Sequence, residues 1–441
     1  CDNMEKVLVI GAARSGIAVT RLLCKMGYEV YLTDQKEIEQ KEQLNALGVH
    51  VFDQGHPDAL KAISYAFVVK NPGIPYRAAF VHYFVQKQVP IYTEIEIAYR
   101  YAKNFSYAAI TGTDGKTTVT TLLYEMLKTE KNALVAGNIG TPLSELVLEH
   151  EQKNYTVALE LSNFQLLGIE SFAPDVCVVT NLAPDHLDYM DSLEDYYRSK
   201  MKIYENCQSD AWFIRNVDDE EIMKYAQGIP CEVIDFSLTR QDVALYRDEK
   251  FAYLKDKVLF KLEDLKIVGG FNCGNAMMAA CMAYRMGVSV NSIQKVISEF
   301  RGVEHRIEYV DTLKDVRIYN DSKATNTHAA CAALSAFDHN VILLCGGKDK
   351  HISFEDLKQY DQKIKHCFSF GQTKDHFKDI FTHQTSCETM EEALYQAYNM
   401  ASAGDVILLS PACSSFDQFK NFEVRGEIFK ELVKQLKEKE S

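Results

Sequence analysis

One rhythm constrains this chain more than any other feature. A short Val/Ile-rich run leads to a glycine-containing turn and then to an amphipathic helix, over and over. That alternation predicts parallel sheets covered by helices, so the expected class is α/β. The first stretch runs from Val7-Leu-Val-Ile10 through a helix near 16–26 to Val30-Tyr-Leu-Thr33. A further strand, Phe67-Val-Val-Lys70, precedes the turn Asn71-Pro-Gly-Ile-Pro75. The second stretch opens at Tyr107-Ala-Ala-Ile110. In its helix Val119, Leu122, Leu123, Met126 and Leu127 share one face. Strands over 155–161 and 175–181 follow. The third begins after Phe300-Arg-Gly302, with strands near 316–320, 340–345, 366–370 and 405–410. Three domains are expected, over 1–96, 97–302 and 303–441. The Lys/Glu-rich end over 429–441 reads as a solvated helix.

A net charge of −14 argues against a nucleic-acid partner held on broad basic surfaces. A local loop can still bind an anionic phosphate. No apolar run approaches the roughly 18–20 residues of a membrane span, and the first residues lack a signal-peptide layout. A cytoplasmic protein is expected. The 12 cysteines are scattered through apolar stretches without a CxxC pair, which reads as reduced core thiols rather than a zinc site.

Gly112-Thr-Asp-Gly-Lys-Thr-Thr118 follows a β run and opens a helix, the context that a phosphate-binding loop needs. Backbone N–H groups of Gly112, Thr113, Asp114, Gly115 and Thr118 would cradle phosphates. Lys116 would reach the outer phosphates and the Thr117 hydroxyl would ligate Mg²⁺. The spacing departs from GxxxxGK[ST], since Ile110 occupies the place of the first glycine. Glu160 closes the apolar strand Tyr155–Leu161, where a hard cation would find an oxygen ligand. His186, within Asn181-Leu-Ala-Pro-Asp-His-Leu-Asp188, follows the next strand as a candidate metal ligand. Lys200, in a helix opened by Asp191 or Ser192, reads on spacing alone as a solvated lysine.

Gly11-Ala-Ala-Arg-Ser-Gly16 lies where a dinucleotide fingerprint would, but its middle glycine is missing. A nucleotide other than NAD is the better expectation, with Asp34 accepting from ribose or base. In the third stretch Asn320-Asp-Ser-Lys-Ala-Thr-Asn326, Gly346-Gly-Lys-Asp-Lys350 and Ser410-Pro-Ala-Cys-Ser-Ser-Phe416 each follow a strand. They are expected along one edge of one sheet, around a polar substrate.

Taken in order with Gly137-Asn-Ile-Gly140, Glu160-Leu-Ser-Asn-Phe-Gln165, His305-Arg306 and Asn421-Phe-Glu-Val-Arg-Gly426, these motifs make the chain resemble the Mur ligase family along its whole length. The resemblance implies a Rossmann-like UDP-substrate domain, a central P-loop ATPase domain and a Rossmann-like C-terminal domain. It implies an ATP-dependent amide ligase that adds D-glutamate to UDP-N-acetylmuramoyl-L-alanine through an acyl phosphate, acting as a monomer. Lys116, His186 and Lys200 are then the catalytic set, and Thr117, Glu160, His186 and Lys200 the ligands of two Mg²⁺ ions. Lys200 falls at the family's carbamylated lysine, which reverses its reading as a solvated cation. Asn272, Asn275, Arg306 and Asp321 match ATP-side residues. Asp34, Gly73 and Asn138 match the UDP-muramoyl side. Lys323, Thr325, Lys350, Ser415, Phe416 and Phe422 match the glutamate side. Closure of the domains is expected, because Lys350 and Arg306 must come to the P-loop.

Two positions depart from the family pattern: Asp114, where asparagine is frequent, and Phe271, where histidine is. A ligase for another amine acceptor is a rival reading, but its DNPR-like motif is absent. A non-catalytic nucleotide-binding regulator is a second, against which Lys116, Thr117, Glu160, His186 and Lys200 stand together.

Overall fold

The computed structural model describes residues 4–184, 190 and 192–440. Each alternating stretch forms its own sheet. The first is all parallel, in the spatial order His50–Phe52, Glu29–Thr33, Lys6–Ile10, Phe67–Lys70, Ile91–Tyr92. Its middle strands carry unbroken apolar runs, Val7–Ile10 and Phe67–Val69, because both of their faces are buried; Lys70 closes the second.

The second sheet places Phe105–Thr111 between Tyr155–Glu160 and Val176–Val179, all parallel. Ala133–Gly137 lies beyond Tyr155–Glu160, while Trp212–Asn216 and Glu232–Phe236 extend the other side. The strand order therefore reverses around Phe105–Thr111, and a crevice opens at the carboxyl end of such a reversal. An antiparallel set, Leu245–Arg247, Phe251–Leu254 and Lys257–Lys261, completes the far edge. The third sheet runs Glu308–Leu313, Val316–Asn320, Val406–Leu409, Val341–Gly346, Ile364–Phe370, Gln384–Ser386. Its first strand is antiparallel and the rest are parallel.

Residues up to 261 together with 275–296 form one compact unit, which holds the first two sheets. Residues 262–274 and 297–441 form another around the third. Inside the first unit, the helix Glu94–Tyr101 carries two buried carboxylates toward the central sheet. Glu94 accepts from the N–H of Leu143 and Ser144, at the start of the helix Leu143–Glu149. Glu96 accepts from the N–H groups of Glu170, Ser171 and Phe172. An acid at a helix start satisfies donors that the helix itself leaves unpaired.

Two local expectations need correction. The C-terminal segment is a helix, Phe422–Glu440, but it is not solvated all round. Phe429, Leu432, Val433 and Leu436 are buried against the third sheet at helical spacing, while the Lys/Glu face meets water. The helix expected near 16–26 spans Arg14–Lys25, so it starts directly on the Gly11 turn. The described cysteines are free thiols, most of them buried in the apolar layers.

Candidate active site

The loop after Phe105–Thr111 turns through two glycines whose backbone and surroundings leave little room for a side chain. Gly112 has φ +142°, and a Cβ there would meet Thr180 Oγ1 at 1.9 Å. Gly115 has φ +77°, with Asn275 Oδ1 2.5 Å from its missing Cβ. It caps the helix Lys116–Leu127, whose first N–H groups are turned to the loop. The loop is tied to the neighbouring strand end. Thr113 N–H donates to Asn181 O (3.0 Å), and Asp114 N–H donates to Asn181 Oδ1 (2.9 Å). The Thr180 hydroxyl donates to Asp114 O at 2.6 Å. The Asp114 side chain is exposed, so its carboxylate is hydrated rather than pressed onto the loop. Thr180 went unread in the sequence, although a hydroxyl closing an apolar strand beside Asn181 was its available signal.

Lys116 Nζ donates to the carbonyls of Gly112 (3.0 Å) and Thr113 (2.7 Å). Lys200 Nζ donates to the same Gly112 carbonyl at 2.9 Å and lies 4.6 Å from the Tyr196 ring centroid. Lys200 is 2% exposed, so the spacing-only reading of a solvated lysine fails: its helix, Leu193–Met201, presents this face inward. That helix is capped by Ser192, which accepts from Asp195 N–H. Thr117 and Thr118 occupy the first turn after Lys116.

Glu160 is 1% exposed at the end of Tyr155–Glu160. Its Oε1 accepts from Asn138 Nδ2 at 2.9 Å, whereas its Oε2 is buried without a hydrogen-bond partner among the described residues. A buried anionic oxygen left open costs free energy unless something positive meets it. Asn138 thus sits against Glu160, and its own N–H donates to the Glu160 carbonyl at 2.8 Å. His186 lies outside the described residues.

In the first sheet Asp34 closes the Gly11 turn, accepting from Ala12 N–H (2.6 Å) and Lys36 N–H (2.8 Å). Gly73 N–H donates to Asn71 Oδ1 at 3.1 Å, which fixes the Asn71–Pro75 turn.

In the third sheet the ends of Val316–Asn320, Val406–Leu409 and Val341–Gly346 are parallel neighbours, so the three polar motifs do share one edge. Asp321 is buried there, accepting from Ile307 N–H (3.1 Å) and the Ser410 hydroxyl (2.8 Å). Burial raises its carboxyl to about 7, against the opposing pull of Ser410, Ile307, Arg306 and Arg425. Arg306, Lys323, Lys350 and Phe416 are exposed, Thr325 and Phe422 are half-buried, and Ser415 is buried. Lys323 Nζ is 6.0 Å from the Phe422 ring centroid. Asn272 is buried, donating to Val268 O at 2.8 Å, while Asn275 lies against Gly115.

Arg425 is the anchor that sequence reading passed over. It is fully buried and donates to Ser322 Oγ (3.0 Å), Ser322 O (2.8 Å) and Cys413 O (3.1 Å). Arg425→Met should destabilise this unit by about 2–4 kcal/mol, because two carbonyls lose buried donors. Chemical denaturation checks it. The sign for Asp321 is the opposite. Its native carboxyl titrates above the unfolded one, so burying it costs stability progressively as pH rises from the unfolded range through about 7. Asp321→Asn should therefore stabilise the unit by about 1–3 kcal/mol at pH 8 and by little at pH 4. A gain that does not depend on pH would contradict this.

A P-loop set at a strand-order reversal, with a buried acid on the adjoining strand, defines a nucleotide-phosphate-binding α/β enzyme. The chain belongs to the Mur ligase family. The Mur ligase middle domain matches residues 110–283, and the Mur ligase glutamate ligase domain matches residues 305–413. Among curated relatives, the UDP-N-acetylmuramoylalanine–D-glutamate ligase of Geobacillus sp. (strain WCH70) is 41% identical, over 99% of this chain and 98% of that one. The protein of the same name from Bacillus subtilis (strain 168) is 38% identical over 98% of each. Among solved structures, the MurF ligase from Thermotoga maritima in complex with ADP aligns with a TM-score of 0.56 at 16% identity, over 93% of this chain and 96% of that one. That likeness is one of fold. Among the described residues, no helix is long and apolar enough to cross a membrane.

Proposed function

We propose that this enzyme joins D-glutamate to UDP-N-acetylmuramoyl-L-alanine with consumption of ATP, as a cytoplasmic monomer. The observation that carries the reading is identity of 38–41% to ligases of that name across nearly the whole chain. The proposed domain limits are 1–96, 97–302 and 303–441. In this reading the L-alanine carboxylate attacks the γ-phosphate of ATP. The acyl phosphate so formed takes the amine of D-glutamate, and inorganic phosphate leaves.

The chain's own groups divide this work. The Gly112–Thr118 loop binds the phosphates, and Lys116 meets the charge that spreads over the transferring group. Asn272, Asn275, Arg306 and Asp321 serve the ATP side. The first-sheet turns, through Asp34 and Gly73 with Asn138, hold the nucleotide-linked substrate. Lys323, Thr325, Lys350, Ser415, Phe416 and Phe422 hold the amino acid, whose two carboxylates call for cations.

The donor set also fits magnesium. Glu160 Oε2 is a buried, unpartnered anionic oxygen, the hard ligand that Mg²⁺ prefers. Thr117, Glu160 and His186 would hold Mg²⁺, joined by Lys200 once carbamylated, since a carbamate is an oxygen ligand. Two ions are proposed. Bound there, magnesium supplies neutralisation of phosphate charge.

Phosphate release settles the acceptor. Release is expected only with ATP, UDP-N-acetylmuramoyl-L-alanine and D-glutamate together. Release with another amino acid instead would replace the acceptor, and none with any acceptor would leave a non-catalytic regulator.

A further inference from the structure

At the end of the strand Phe67–Lys70, the first sheet buries a lysine that the roles above leave unused. Lys70 is 1% exposed. Its ammonium makes only long contacts, 3.5 Å to the Asn71 carbonyl and 3.4 Å to that of Pro72, with the Tyr76 ring centroid at 4.5 Å. Among the described residues no carboxylate forms an ion pair with it. Burying a charge without a counter-ion is costly, and an apolar side chain of similar volume would ordinarily serve stability better. A cation kept in such a place points to an anion that arrives from outside.

Its position says which. Lys70 lies opposite Ile10 in parallel register, at the reversal of strand order in the first sheet. The Asn71 turn it supports rests on the Gly11 turn: Asn71 N–H donates to Ile10 O (2.8 Å) and Asn71 Nδ2 donates to Ser15 Oγ (3.3 Å). Lys70 therefore stands against the backbone of the Asn71 turn, which rests on the Gly11 turn. In apolar surroundings its field is weakly screened and reaches through one layer of backbone.

We propose that Lys70 is a positioning residue for the nucleotide-linked substrate, a fixed positive charge that acts through the Asn71–Gly73 turn on the substrate's diphosphate. The proposal rests on the UDP-substrate reading given above. The ammonium holds the turn's carbonyls inward and draws the anionic diphosphate toward the crevice face.

The charge is also titratable. Burial alone lowers Lys70 from 10.5 to about 8, and Tyr76 is the titratable side chain packed on it. As pH rises through about 8 the native lysine loses its proton, whereas the unfolded one keeps it until 10.5. Stability contributed by this group rises across that window while diphosphate affinity falls. A purely structural lysine would not separate the two.

The experiment is calorimetric titration of the full chain with UDP-N-acetylmuramoyl-L-alanine and with UDP, at about pH 7 and about pH 9. Wild type is compared with Lys70→Met, and ADP serves as a control for the central domain. The variant is expected to bind both uridine ligands about tenfold more weakly at the lower pH, with ADP affinity and melting temperature no lower than wild type. Wild-type affinity should weaken toward pH 9, and the difference between the two proteins should close. Equal affinity of the two at pH 7, or wild-type affinity that is flat with pH, overturns the proposal. The wild-type pH series decides the matter if the variant misfolds. Failure of wild type to bind the muramoyl nucleotide at all would instead sink the UDP-substrate reading, and this inference with it.

Discussion

Glu160→Gln is expected to cut turnover by about three orders of magnitude while hardly moving the melting temperature. The two effects separate because the two carboxylate oxygens do different things. Oε1 accepts from Asn138 Nδ2 at 2.9 Å, and a glutamine oxygen can accept the same bond. Oε2 is buried with no partner among the described residues, so the fold gains nothing from its charge. Substitution there exchanges one unpartnered polar atom for another, without the cost of a buried anion. What is lost is the negative oxygen that a divalent ion needs. Phosphate release gives the rate, and Mn²⁺ binding followed by electron paramagnetic resonance reads the metal without reference to activity. Full Mn²⁺ affinity in the variant would remove Glu160 from the ligand set.

Gly112→Ala is expected to damage the phosphate loop through a single methyl group. At φ +142° the backbone sits in a region open essentially to glycine, a strain of about 1–3 kcal/mol for any other residue. The new Cβ would also lie 1.9 Å from Thr180 Oγ1. That hydroxyl cannot simply rotate aside, because it donates to Asp114 O at 2.6 Å and so fixes the loop. The expected result is a loss of about 2–4 kcal/mol in stability and of roughly 100-fold in ADP affinity. Thermal unfolding and calorimetry measure the two. A variant that binds ADP within twofold of wild type would show that the loop can rebuild itself around the methyl group.

The sequence made the sheets legible because a strand buried on both faces leaves an unbroken apolar run, as in Val7–Ile10 and Val176–Val179. The loop was legible for a related reason: glycine adopts such dihedrals without the Cβ penalty, so Gly112 and Gly115 announce them. The inward face of Lys200 was not. Helical periodicity says which residues share a side, but not which side meets the core when lysine is among them. Family likeness, rather than spacing, pointed to it. Arg425 and Lys70 escaped for the same reason, since a charged letter defaults to solvent until its neighbours are known. The apolar face of Phe422–Glu440 was hidden under a majority of Lys and Glu.

The two lysines at the phosphate loop are both engaged by the loop itself. Lys116 spends its ammonium on two of the loop's own carbonyls, and Lys200 adds a second cation to one of them. For these two cations, phosphate binding is therefore an exchange of partners. The incoming phosphate must outbid bonds that hold the loop in shape, so measured ATP affinity reports a difference between two well-bonded states. Such a loop can be rigid before its ligand arrives and still let the ligand go.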